Sequence, residues 1–292
     1  MEDIVELEAL TSWGNEVASS PAAASAQTPF PIDAELNAKV YIWEGKLWKL
    51  RADAILNSTN ESMTDRCGVS GSIIAQAGPQ LEDELFQTEG CRTGECRLTR
   101  AYLLPAKKIV HTVGPRYNER YKTAAESALH YCYRNAMELV VENKLSSLGT
   151  CCVYSEKKGY PRKAAAHIAI RTVRRFLEQF RRDPLTGVAP KAAGEGLSHV
   201  VFCVETRQDL AIYREVMRLY FPRNQEDETF QGENLPEDTG NEKGEPVVEH
   251  RQVRIAAMPG RYEDDEEEQQ QAGAGAGAGG GGGAGAGARR SK

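Results

Sequence analysis

Residues Ala52–Pro79 read A-D-A-I-L-N-S-T-N-E-S-M-T-D-R-C-G-V-S-G-S-I-I-A-Q-A-G-P, and this stretch decides the fold. Ala54-Ile-Leu56 is a continuous apolar run, the form a strand takes when both faces of its sheet are covered. The run leads into Asn57 and Asn60, whose amides both donate and accept. After a polar loop, Ser72 to Ala77 reads as a short helix stopped by Gly78-Pro79. Polar residues at a strand's carboxyl end, beside a helix N-terminus, form the crevice in which open α/β sheets hold ligands. The residues alone thus point to a ligand crevice without naming the ligand. That the two Asn side chains only satisfy turn backbone is the other open reading.

Working outward, strand and helix signals alternate. Val40–Trp43, Ala101–Leu104, Lys108–Val113, Leu148–Val153 and His199–Val204 read as further strands. Thr123-Ala-Ala-Glu126 has the spacing of a capping box and opens a helix to about Asn143. A helix from about Arg162 to Phe180 turns Ile168, Ala169, Thr172, Val173, Phe176 and Leu177 inward, and Asp209–Tyr220 ends before Pro222. This alternation predicts a three-layer α/β/α domain. The predicted domain spans 38–222, between a disordered acidic arm (1–37) and a disordered tail (223–292). The tail holds the acidic run Glu263–Glu268 and the Gly/Ala tract Ala272–Ala288, which has no side chain able to build a core.

Charge follows the same division. Residues 1–37 carry −7, residues 38–222 hold 28 Lys plus Arg against 20 Asp plus Glu for +8, and residues 223–292 carry −7. No apolar run is long enough to span a membrane. The acidic start Met1-Glu-Asp is unlike a secretory signal, and seven cysteines, an odd number without a C-x-x-C, suit reduced thiols in the cytoplasm or nucleus. The scattered histidines leave no zinc-type spacing, so neither metal nor cofactor is expected. His111, in an apolar strand, reads as a core histidine, and Cys91 and Cys96 as packed thiols.

The stretch Asp53–Pro79 resembles the signature of macrodomains, the ADP-ribose-binding family, whose pattern is D-A-I-V-N-A-A-N, a Gly-rich loop, V-D-G-x-I and A-A-G. Cys91–Cys96 (C-R-T-G-E-C), Leu104–Pro115 (L-P-A-K-K-I-V-H-T-V-G-P) and Gly159–Pro161 (G-Y-P) follow in matching order, so the resemblance covers about residues 38–222. It implies an α/β/α sandwich with a central mixed sheet. It also implies ligand contacts from Asn57, Asn60, Gly68, Val69, Ser70, Ser155, Gly159 and Tyr160. Thr123–Asn135, His167–Glu178 and Gly244–Ile255 are similar to one branch of the family, whose members continue into a Sec14-like (CRAL-TRIO) lipid-binding domain. Gly/Ala sequence stands here instead, which implies a shortened form.

Set against the family pattern, four positions depart. Where the family has an adenine-recognising Asp, Lys46 stands, and an ammonium cannot accept from the adenine amino group. Asp65, Arg66 and Cys67 replace loop glycines, leaving Gly68. The Asp that works with the second Asn in hydrolytic members is Ser70, a poor general base; it reads better as a helix cap. In the second phosphate loop, Tyr154–Gly159, Glu156 replaces a Gly and Lys158 the aromatic that stacks on the distal ribose. Together these imply a degenerate, non-catalytic macrodomain serving as a binding module. The alternatives are a weak mono-ADP-ribosyl hydrolase using Asn60 and Ser70, and a structural scaffold without a nucleotide ligand.

Lys157, Lys158, Arg162, Lys163, Arg171, Arg174 and Arg175 cluster on and before one helix. Either this is a solvated face, or it is a basic surface for RNA or poly(ADP-ribose), gripping phosphates in a salt-dependent way.

Overall fold

The computed structural model describes residues 4–16, 28–153, 158–179 and 196–247. In chain order the elements are β1 (Val5–Glu6), α1 (Ala34–Ala38), β2 (Val40–Glu44), β3 (Leu50–Arg51), β4 (Ala54–Ser58), α2 (Gly68–Ala77), α3 (Pro79–Phe86), β5 (Cys96–Arg100), β6 (Lys108–Thr112), α4 (Lys122–Glu142), β7 (Ser147–Thr150), α5 (Arg162–Glu178), β8 (His199–Val204), α6 (Arg207–Tyr220) and α7 (Gln225–Asn234). Six strands form one mixed sheet in the order β2-β8-β7-β4-β6-β5, parallel except for β5. Helices flank it, as the α/β/α expectation requires. All of Ala54 to Asn57 is buried, because helices cover both faces of β4. The carboxyl ends of five parallel strands therefore share one rim, and the crevice opens there.

Several local expectations are corrected. The strand expected at Ala101–Leu104 is a turn, with Tyr102 at φ 51° and Leu103 exposed; β5 lies just before it. Gly78-Pro79 does not simply end a helix. Pro79 begins α3 at its first position, where a missing N–H costs nothing. Thr123 is not a cap either: α4 starts at Lys122, after a 3₁₀ turn whose cap is Asn118, so Thr123 already lies inside the helix.

The largest correction concerns the ends. Described residues before 38 and after 222 pack onto the domain, and one unit runs to Val247. Trp13 is buried, donates from Nε1 to Phe221 O at 2.8 Å, and is covered by the Arg223 guanidinium 3.7 Å from its ring. Phe30 packs edge-on against Tyr220 beneath Arg175, and Gln231 donates to both Phe30 O and Leu219 O. Asp227, buried on α7, accepts from Arg218 and Arg223. Isolated anchors of this kind leave no periodic signal in a polar segment. The acidic run and the Gly/Ala tract lie outside the described residues.

The charge figure changes with the boundary. Residues 1–247 hold 30 Lys plus Arg against 35 Asp plus Glu, which makes this part of the chain −5 rather than +8.

No helix among the described residues is long and apolar enough to cross a membrane.

Candidate functional site

The crevice begins where β4 ends. Asn57 is fully buried there, and its Nδ2 donates to Ser70 Oγ at 3.2 Å and to His111 Nδ1 at 3.1 Å. His111 donates in turn from Nε2 to Thr99 Oγ1 at 2.9 Å, so its proton sits on Nε2. Burial holds this imidazole neutral, with a pKa down to about 3. The expected core histidine is thus confirmed, and it fixes Asn57, which in turn fixes Ser70.

Ser70 is not a helix cap. It lies inside the first turn of α2, whose cap position is Cys67, with no side-chain capping bond. Asn60 faces elsewhere: Oδ1 accepts from Thr64 N at 2.8 Å and Nδ2 donates to Thr64 Oγ1 at 3.2 Å. Asn60 therefore organises the loop, and it is Asn57 that meets Ser70.

A cleft of about 350 Å³ opens on this rim. Gly68, Val69 and Ser70 line it, with Asp65 and Cys67 from the preceding loop. Asp65 Oδ1 accepts from Cys67 N at 3.0 Å and so shapes the turn into α2. Gly71 is required next to them: a Cβ there would sit 2.2 Å from Arg66 O. Lys158 enters from the far wall, half-buried, donating to Gly114 O at 2.7 Å, and desolvation lowers its ammonium pKa. Gly159 follows at φ 65°, a left-handed turn that favours glycine. Tyr160 is buried beside Tyr117, and no described residue hydrogen-bonds to its hydroxyl. Ser155 and Lys157 lie outside the described residues.

Several lining residues have a positional signal, since each ends or follows a strand of the parallel set. Ser58 ends β4 and Thr59 follows it, Cys151 and Cys152 follow β7, and Glu205 and Thr206 follow β8. Thr59 is buried, and no described residue hydrogen-bonds to its hydroxyl. The thiols here are protonated: burial pushes Cys151 up to about 12 and raises Cys152 and Cys203 as well. They form neutral, apolar wall rather than nucleophiles.

Among the described residues, the arginines and Lys163 of the expected basic patch do not gather on one open face. Arg171 and Arg174 are 2% and 0% exposed. Arg171 donates to Asp238 O and Gly244 O, and Arg174 to Glu178 and Pro31 O. Arg175 pairs with Glu178, and Lys163 with Glu215 on α6. Arg162 lines the cleft, but both Asp209 carboxylate oxygens lie at 2.9–3.0 Å from its Nη1. Among the described residues, no group of His, Cys, Asp or Glu is placed to hold a metal.

A parallel sheet with one antiparallel edge strand, a crevice on its carboxyl rim and the Asn57–α2 junction define the class: the chain belongs to the Macro domain family, whose model matches residues 56–169. Among individual proteins, it is 44% identical over 272 residues to the "Protein GDAP2 homolog" of Nematostella vectensis, and equally to ganglioside-induced differentiation-associated protein 2 of Rattus norvegicus. Each match covers 90% of this chain but 51% and 52% of those proteins, so the chain spans about half the length of these relatives. The crystal structure of the macro domain of ganglioside-induced differentiation-associated protein 2 matches with TM-score 0.66 at 42% identity, covering 77% of this chain and all of that one. A Trypanosoma brucei macrodomain solved in complex with ADP-ribose matches with TM-score 0.58 at 32% identity, covering 73% of this chain and 76% of that one. The fold is therefore one that binds ADP-ribose in another member.

Proposed function

We propose that this macrodomain is a non-hydrolytic binding module whose rim cleft takes an ligand of the ADP-ribose type. One observation carries the reading: the two residues that a hydrolase would pair, Asn60 and Ser70, do not work together. Asn60 holds Thr64, while Ser70 Oγ accepts from Asn57 inside α2. Among the described residues no base hydrogen-bonds to Ser70 to take its proton, because His111 reaches Asn57 rather than Ser70. The ADP-ribose complex of the Trypanosoma brucei relative supports the ligand class.

The binding reading favours a compact nucleotide over a polymer. The arginines of α5 are buried or paired, and residues 1–247 are net negative, so RNA drawn along that helix loses its electrostatic basis.

Incubation with a protein mono-ADP-ribosylated on acidic side chains tests the reading. Release of ADP-ribose should not exceed the buffer control. Release above it, abolished by Asn60→Ala, would overturn the non-hydrolytic assignment. Calorimetric titration with ADP-ribose should give one site per chain, with weak dependence on salt.

A further inference from the structure

The end of the cleft formed by β2 and β8 holds a charge arrangement that the loss of the family's Asp at position 46 does not suggest. Glu44 pairs with Val204 across the two strands, and Gly45 N donates to Val204 O at 3.0 Å. The next residue on each side is charged, and register sets them together: Lys46 Nζ lies 2.9 Å from Glu205 Oε2. Glu205 lines the cleft, and no described residue donates to its Oε1. Asp209, the neighbouring cleft carboxylate, is saturated by Arg162 and Thr206, while Asp65 stands at the α2 end. The same cleft is lined by apolar groups: Leu47 is buried, and Cys203 turns its thiol to Gly45 O at 3.1 Å.

We infer that Glu205 has taken over base recognition from position 46, accepting from the exocyclic amine of an adenine while Lys46 donates to the adjoining ring nitrogen. An amino-purine presents a donor beside an acceptor along one edge, and flat apolar faces above and below. Glu205, on the cleft wall with Leu47 and Cys203, presents the acceptor, and Lys46, 2.9 Å from its Oε2 at the edge of the cleft, presents the donor beside it. Hypoxanthine differs only at that edge. Its carbonyl oxygen would meet the carboxylate, and its ring N–H would meet the ammonium, so both contacts become repulsive. The specificity of the cleft thus rests on a residue that follows the last strand of the sheet, not the first. This inference rests on the reading of the cleft as an ADP-ribose site.

The test compares ADP-ribose with inosine diphosphate ribose by calorimetric titration of the full chain. ADP-ribose should bind at least about tenfold more tightly. Glu205→Ala should shrink this preference several-fold, because it weakens ADP-ribose and relieves the inosine ligand of one repulsive contact, while Lys46 still favours adenine. An unchanged melting temperature for this variant shows that the fold is intact. Equal affinity of the wild-type chain for both ligands, or a preference undiminished by Glu205→Ala, would overturn the role of Glu205 and leave the ADP-ribose reading standing. Absence of binding by either ligand would overturn both.

Discussion

At the scale of single residues, His111 shows how a buried group sets the cleft without touching a ligand. Its imidazole stays neutral because burial disfavours the cation, and a neutral ring can accept from Asn57 while donating to Thr99. The linkage has a definite sign. The unfolded chain binds a proton on this residue below about pH 6.5, whereas the native state does so only near 3. The contribution of His111 is therefore complete above about pH 6.5 and declines as pH falls toward 3. At pH 5 the loss from His111 alone is roughly 2 kcal/mol. His130 and His167, lowered by burial to about 4, steepen the decline. Urea midpoints followed from pH 7 to pH 5 should fall, and the slope should be shallower in His111→Gln. A parallel slope would show that this ring does not carry the effect.

The same scale separates what sequence can reveal from what it hides. Asn57, Gly68 and Ser70 were visible because the motif that holds them is contiguous. Arg171 and Arg174 looked like surface charges, because their acceptors come from Asp238, Gly244 and Pro31, distant segments without any pattern. An Arg on a helix reads as solvent-facing until such acceptors are known. Arg174→Ala, which removes a buried guanidinium and leaves Pro31 O without its donor, should cost about 2–4 kcal/mol in denaturant unfolding. Lys163→Ala, removing an exposed pair, should stay within about 0.5 kcal/mol.

At the scale of elements, the buried strands were the most legible. β8 falls at His199–Val204 as expected, and β4 and β6 differ by a residue or two, since continuous apolar runs mark strands covered on both faces. β5 was missed because it is an edge strand: Cys96–Arg100 is only half-buried, while the more apolar Ala101–Leu104 beside it turns back. The junction of the β4 loop with α2 tests a further point. Gly71 permits the Arg66 carbonyl to lie where a Cβ would stand. Gly71→Ala should push the loop off α2, lowering stability by about 1–3 kcal/mol and weakening ADP-ribose binding in the same titration. Gly232→Ala, on α7, where a Cβ meets open space, should change neither by a comparable amount.

At the scale of the whole molecule, the charge division that first marked a basic core between acidic ends does not coincide with the packed unit. The acidic residues after 222 include Asp227, which neutralises Arg218 and Arg223, and Asp238, which meets Arg171. What looked like an acidic tail beside a cationic domain is in part the set of counter-ions that lets buried arginines exist. Trp13→Ala removes the ring between Phe221 O and Arg223 and should cost about 3–5 kcal/mol. A melting temperature equal to wild type would show that the N-terminal segment is not part of the cooperative unit.

These anchors also join positions far apart along the chain: Trp13 to Phe221, Asn37 to Pro222, and Phe30 to Gln231, separations of 208, 185 and 201 residues. Closing loops of that size is slow, and it cannot begin until the later partner exists. On the ribosome, then, Trp13 and Phe30 must wait, apolar and uncovered, until α7 has left the exit tunnel. A nascent chain that has released β8 but not yet α7 would hold its complete six-stranded sheet with Trp13 and Phe30 still unclasped, apolar surface open to other chains.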